Sequence, residues 1–295
     1  MVKKAVITAA GRGTRMFPAT RVVQKELLPL VDTDGFAKPT IQIIVEECLA
    51  SGIEEICIVV EKGGGAPFRT HFAPPTEDER QSLASKPQLL AQAEHLGQLA
   101  ERISYVEQPS PEGFGHAVYQ AKDFVGNEPF VLLLGDHVYT VPEGEKRVVQ
   151  QLVDAYEATG GSVTAVRHEP ESGVTVTGII KGIPISKRLY GIEKLVEKPS
   201  VEEAKLLETP GVPEGYYLGH FGVHLFTPGI FDALGSLIAE NARVKNEFQL
   251  TSGQERLLNS GETYHVLEIN GLRWDIGMPD EYLKSFEALG KKAYP

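Results

Sequence analysis

The sequence predicts an α/β fold: a Rossmann-like, mostly parallel mixed sheet flanked by helices. Two observations carry this. Short apolar runs end at glycine or aspartate, and stretches with helical spacing separate them. "KAVITAA" (4–10) reads as a buried parallel strand that stops at Gly11. "PTIQIIVEECLASG" (39–52) puts Ile41, Ile44, Val45, Cys48 and Leu49 on one helical face, with Pro39 near its start and Gly52 past its end. "EEICIVV" (54–60) is the next strand, completing a strand–loop–helix–strand unit. Residues 73–102 are polar and rich in Pro, Gln, Ala and Glu, and predict an exposed helical excursion between two strands. "ISYVEQ" (103–108) and "FVLLLGD" (130–136) repeat the strand signal, with a helix over "GHAVYQAKDF" (115–124) between them. The β-branched runs at 161–168 and 174–182 predict strands, as do 190–199 and 215–226. Helical patterns return at 228–239, 247–259 and 279–290. No linker, repeat or low-complexity segment interrupts the chain, so residues 1–295 are expected to form one domain.

Length and composition narrow the function. The chain has 295 residues, 42% of them hydrophobic and 23% charged, as a soluble globular protein with a full core has. A net charge of −11 opposes an extended nucleic-acid or anionic-membrane surface, but not a small polyanion held in a local basic pocket. Cys48 and Cys57 lack metal-binding spacing and read as buried thiols of a reducing compartment. With no apolar run of membrane-spanning length and no leader-like start, a cytoplasmic location is expected.

The densest chemistry lies in "AAGRGTRMFPATRVVQKELLP" (9–29). Met16 stands where a dinucleotide fingerprint or a Walker A loop would need a third glycine, and Pro18 forbids a long helix straight after the glycines. A dehydrogenase is thereby disfavoured. In an open parallel sheet, ligands bind beyond the carboxyl ends of the strands. Three such ends carry "AAGRGTR", "EQPSPEGFGH" and "GDH", which offer bare backbone amides, basic side chains and a carboxylate. A nucleoside triphosphate with a magnesium ion needs those groups. Taken alone, Asp136 reads equally as a strand-end turn residue, Trp274 as core, and Glu197–Lys198 as a solvated pair. Alternation along a strand would send Glu197 and Lys198 to opposite faces unless Pro199 ends the strand.

"AAGRGTR", "PAT", "KELLPLVD", "KPTIQIIVEE", "GHAV", "LLLGD", "VEKP", "EFQLT" and "WDIG" occur in order from residue 4 to about residue 285. Together they resemble the bacterial UTP–glucose-1-phosphate uridylyltransferases, of the sugar-1-phosphate nucleotidyltransferase group. The resemblance implies direct in-line transfer from UTP to glucose 1-phosphate with Mg2+ as cofactor, and no covalent intermediate. It implies a nucleotide-binding part over about 1–140 and a sugar-binding and C-terminal part over about 141–295. By resemblance, Ala10, Gly11 and Gly13 line base and phosphates, Arg15 meets the departing pyrophosphate, and Lys25 lies against the triphosphate. Gln108 and Gly113 read the pyrimidine, while Asp136 and Asp275 hold the metal. Gly178 and Glu197 contact the sugar, and Lys198 takes its phosphate. Arg15, Lys25 and Lys198 are thus the expected catalytic set. His137 replaces an acid that the family often carries and is expected to point away from the metal. Arg12 and Arg21 read as solvated, and His116 as lining a loop. Residues 73–102 are expected to cover the sugar site or to make a subunit contact in a homo-oligomer, a dimer or tetramer. The "QPSP" and "WDIG" segments lean toward thymidylyltransferases, so dTTP or another hexose 1-phosphate stays open. A non-catalytic sugar-nucleotide sensor is disfavoured by the presence of Lys25, Asp136, Lys198 and Asp275.

Overall fold

The computed structural model describes residues 1–293. Thirteen strands fall in the order β1 Lys4–Ala9, β2 Pro29–Val31, β3 Ala37–Pro39, β4 Glu55–Glu61, β5 Ile103–Gln108, β6 Phe130–Leu134, β7 His137–Thr140, β8 Ser162–Pro170, β9 Ile179–Pro184, β10 Leu189–Val196, β11 Tyr216–Phe226, β12 Tyr264–Glu268 and β13 Leu272–Asp275. Nine of them make the central sheet, in the order β5-β4-β1-β6-β11-β8-β12-β10-β9. β5, β4, β1 and β6 are mutually parallel, as is the β8–β12 pair. The other pairings of this sheet are antiparallel. Parallel pairing thus dominates the N-terminal half, where helices form the crossovers, and in the C-terminal half it is confined to β8 and β12.

Apolar side chains alternate between the two faces. Ala5, Ile7 and Ala9 of β1 face one core cluster with Ile41, Ile44 and Cys48 of helix Thr40–Ala50. Val6 faces a second cluster with Phe231 and Leu234 of helix Gly229–Ala239. Burial on both faces explains why these strands read as unbroken apolar runs. Cys48 and Cys57 lie in opposite clusters, both free, and burial raises both thiols, Cys57 to about 12.

One strand ties the halves together. Along β11, Val223–Phe226 pair with β6, whereas Leu218 and Gly219 pair with β9. β8 runs along the other edge of β11, with a register shift between His220 and His224. β9 also pairs with β10, so β11, β8, β12, β10 and β9 close into a ring. Where the neighbour changes, residues 220–222 are left with β6 ending on one side and β9 beginning on the other. Asp136 follows β6 and Gly178 precedes β9, so this interruption becomes the floor of a cleft.

Several expected elements move. Val174–Val176, expected as strand, lie in a 3-10 turn, Glu171–Val176. The reason is packing: Val174 is fully buried against Ile179, Leu207 and Tyr217, which outweighs its β preference. The expected helix 115–124 is two short ones, Phe114–Tyr119 and Lys122–Val125, because Gln120 and Ala121 turn with i→i−3 bonds. The helix expected from 247 starts at Leu250. Residues 73–102 form helices Glu77–Leu83 and Pro87–Ala100 between β4 and β5, largely exposed as expected.

Phe130 lies at the second core's centre, with Phe231 stacked at 5.2 Å and Phe226 at 6.1 Å. Phe130→Ala should destabilise the fold by roughly 3–5 kcal/mol, read as a lower urea midpoint with an unchanged slope. A loss below about 1 kcal/mol would show that this core collapses to fill the gap.

Candidate active site

Two cavities adjoin at the interruption, sharing Phe114 and Leu134 in their walls. The first, about 380 Å³, is lined by Ala10, Gly11, Arg15, Lys25, Gln108, Gly113 and Asp136. The second, about 340 Å³, is lined by Gly178, Glu197, Lys198 and Asp275. Of the residues given a catalytic, binding or metal role in the sequence, Gly13 alone lines neither. It turns the loop at φ +59°, its carbonyl accepting from Thr20 Oγ1 at 2.9 Å. Arg12 lines the first cavity's mouth though exposed, and Arg21 is exposed away from both. Residues 73–102 contribute to neither wall, so they do not cover the second cavity.

Pairing of β7 with β13 brings the distant carboxylates together, because Asp275 is opposite His137 and the Ile276 amide donates to the Asp136 carbonyl at 2.9 Å. A β-carbon built on Gly277 would lie 2.6 Å from Asp136 Oδ2, 3.0 Å from Asp275 Oδ1 and 3.3 Å from Arg15 Nη2. The missing side chain thus leaves a small cradle faced by two carboxylates and a guanidinium. Among the described residues no group of three or more His, Cys, Asp or Glu side chains is arranged for a metal. Two oxygens on a cradle open to the cleft nevertheless fit Mg2+, which takes one or two carboxylates and completes its shell with water and phosphate. His137 does not point away as expected: its Nε2 is 3.5 Å from Asp275 Oδ2, which the ribbon register imposes.

The charges here are mutually sustained. Asp136 is almost fully buried and pairs with Lys25 Nζ. Burial opposes its charge, yet Lys25 and His137 more than offset this and hold it below the usual carboxylate range. Lys25 is likewise desolvated, but Asp136 and Glu26 raise its pKa. Asp275 is held low against burial by His137, the Gly277 amide and Arg273. Glu26 behaves oppositely. Both of its carboxylate oxygens are buried without a hydrogen-bond partner, and desolvation pushes it up to about 7, beyond what Lys25 at 3.5 Å reverses.

In the first cavity, Gln108 Nε2 donates to the Gly113 carbonyl at 3.2 Å and meets His116 Nδ1 at 3.1 Å, so His116 does line the loop. Gly113, at φ +114°, packs where a β-carbon would be 2.7 Å from the Phe248 carbonyl. In the second cavity, β10 ends at Val196 and Lys198 takes φ +50°, an uncommon conformation for a side-chain-bearing residue. That break in alternation turns Glu197 and Lys198 into the same space, 3.5 Å apart. Thr251 donates to Glu197 Oε2 at 2.7 Å and orients it. The floor is uncharged, since burial lowers the pKa of both His220 and His224. Thr251, Glu26 and Arg273 went unassigned in the sequence. "EFQLT" and "KELLP" flagged the first two, whereas nothing around Arg273 announced it.

Comparison with known proteins identifies the family of the chain. A profile of the family described as "Nucleotidyl transferase" matches residues 4–292. A protein of Staphylococcus haemolyticus named UTP–glucose-1-phosphate uridylyltransferase is 39% identical over 285 residues, 96% of this chain and 91% of its own. The UTP–glucose-1-phosphate uridylyltransferase 2 of Staphylococcus saprophyticus is 38% identical over 96% of this chain and 90% of its own. An apo UDP-glucose pyrophosphorylase structure superposes with TM-score 0.84 at 28% identity, covering 99% of both chains. A UTP-bound enzyme of Acinetobacter baumannii superposes with TM-score 0.79 at 27% identity, covering 98% of this chain and 94% of that one.

Glu26 yields a pH prediction. Below about pH 4 its carboxyl is protonated in folded and unfolded chains alike. As pH rises from about 4.5 to about 7 the unfolded chain ionises first, so stability drains away; above that window the loss is complete. Glu26→Gln should match the wild type near pH 4 and exceed it at pH 8 by on the order of 3 kcal/mol in urea unfolding. An equal difference at both pH values would show that Glu26 does not titrate with folding.

Proposed function

The chain belongs to the nucleotidyl transferase family, and on that premise we propose that the cleft joins UTP and α-D-glucose 1-phosphate to give UDP-glucose and pyrophosphate. The observation that carries this reading is the meeting of two cavities at one pair of carboxylates. Both substrates are anionic at the ends that must approach, and a cleft acidic at that point alone would repel them. In this assignment UTP fills the first cavity. Backbone at Ala10 and Gly11 approaches base and phosphates, and Gln108 with Gly113 faces the pyrimidine edge. At Gly11 a β-carbon would touch only the Lys25 side chain, at 3.5 Å. Packing within the protein therefore does not require glycine there, whereas close approach of a ligand does. Glucose 1-phosphate fills the second cavity, with hydroxyls toward Glu197 and Gly178 and phosphate toward Lys198.

Asp136 and Asp275 would hold Mg2+, which when bound would supply positive charge against the phosphates. The chain's own residues position the reactants. A phosphate oxygen of glucose 1-phosphate attacks the α-phosphorus of UTP; that P–O bond forms as the α–β bridging bond breaks, and pyrophosphate departs past Arg15. The second ionisation of a phosphate monoester lies near pH 6, so the attacking group is already a dianion and no side chain has to remove a proton. Catalysis then consists of alignment and charge neutralisation by Lys25, Arg15 and Lys198. Residues 1–295 act as one unit in this reading, because the nucleotide and sugar parts share the sheet. No described helix is long and apolar enough to cross a membrane.

The decisive assay is pyrophosphate release with UTP, dTTP, CTP and ATP, each against several sugar 1-phosphates. UTP with glucose 1-phosphate should give the highest kcat/KM, and a better pair would reassign the substrates. The cradle yields a second expectation. Gly277→Ala places a methyl between the carboxylates and should lower turnover roughly 10–100-fold, with a higher magnesium requirement and an unchanged melting temperature. Full activity at ordinary magnesium would remove Asp136 and Asp275 from the metal site.

A further inference from the structure

One cation of the second cavity has no anion. Arg273 stands two residues before Asp275 on β13, so alternation puts both side chains on one face of the ribbon. Trp274 takes the other face, its Nε1 donating to Thr140 Oγ1 at 3.0 Å. The guanidinium lines the cavity with Glu197, Lys198 and Asp275. Nη1 donates to the His220 carbonyl at 3.3 Å, while Nε is fully enclosed and has no partner. Its cationic neighbours are matched: Lys198 in the same cavity has Glu197, and Arg167 next to Arg273 binds Glu169 through Nε and Nη2 at 2.9 and 2.7 Å. No described carboxylate forms an ion pair with Arg273. Burial and Arg167 lower its pKa more than Asp275 and Glu169, neither within ion-pair distance, raise it, a sign of how poorly the fold accommodates the charge. A partly buried, uncompensated charge destabilises a fold, and such a cost persists where function requires it.

We propose that Arg273 is a substrate-binding residue whose guanidinium fork grips the phosphoryl group of the sugar 1-phosphate alongside Lys198. The proposal rests on the uridylyl-transfer reading. A phosphate supplies the missing counter-charge, and a planar fork can donate to two of its oxygens where a lysine offers a point charge. Arg273 also shares a strand face with Asp275. An anion between them spans the reacting phosphate and the metal carboxylate, whereas Glu197 is left to the hydroxyls.

The test first requires wild-type pyrophosphate release from UTP and glucose 1-phosphate, since its absence sinks the underlying reading independently of Arg273. With that activity in hand, Arg273→Gln should raise the KM for glucose 1-phosphate roughly 10–100-fold and leave that for UTP within about twofold. The ligand-free variant should melt at or above the wild-type temperature, because an uncompensated charge is gone. The upward shift that glucose 1-phosphate gives the wild type should vanish. Arg273→Lys, which keeps the charge and loses the fork, should recover part of both effects. A lower ligand-free melting temperature with unchanged KM would assign Arg273 to structure and overturn the proposal. So would an equal rise in KM for both substrates, or failure of both variants to fold.

Discussion

The ion pair between Lys25 and Asp136 is the interaction around which the cleft is organised. Neither residue could stay charged alone in so dry a position; removing one strands the other. Their pairing keeps an anionic oxygen available at the end of β6 and a cation available beside it, before any ligand arrives. Glu26 is the counterexample within the same turn: equally buried, without hydrogen bonds, and pushed toward neutrality. The "KELLP" turn thus presents, from adjacent positions, one side chain that keeps its charge and one carboxyl that titrates near neutral pH. A carboxylate in a desolvated cleft keeps its charge only where a neighbour supplies the compensation.

Much of this was legible in the chain. β1, β4 and β6 announce themselves because burial on both faces forces unbroken apolar runs, and the ends of β1 and β6 carry the glycine loop and Asp136. Resemblance placed Glu197, Lys198 and Asp275, and the two cavities bring those residues to one cleft. What escaped depends on tertiary packing. No local pattern says that Val174 turns inward instead of extending, or that β10 stops at Val196 so that neighbouring residues share a cavity. His137 was misdirected for the same reason: its direction is set by a β7–β13 register that joins segments far apart in sequence. Arg273 lay hidden because an unpaired charge is defined by absent neighbours, which only three-dimensional proximity reveals.

The second cavity shows how a site can hold anions without an acidic or basic floor. His220 and His224 are kept neutral by burial, and Thr164, Gln254 and Tyr264 join His224 by hydrogen bonds in a buried polar layer. Such a layer holds shape without contributing net charge. The charged groups, Glu197, Lys198, Arg273 and Asp275, stand above it at the walls. Recognition is therefore set by a few projecting side chains on a rigid, electrically quiet base.

The change of partner along β11 has a further consequence. Groups facing the first cavity hang from β1, β5 and β6; those facing the second hang from β9, β10 and the Leu250 helix. The carboxylates meet at the seam, Asp136 lining the first cavity and Asp275 the second. Substitutions on either wall can alter which partner is accepted there while the seam stays as it is. With the nucleotide in the first cavity and the sugar in the second, as proposed, the architecture would work like a chuck with two independent jaws: a lineage could retool its nucleobase or its hexose separately and keep the same seam.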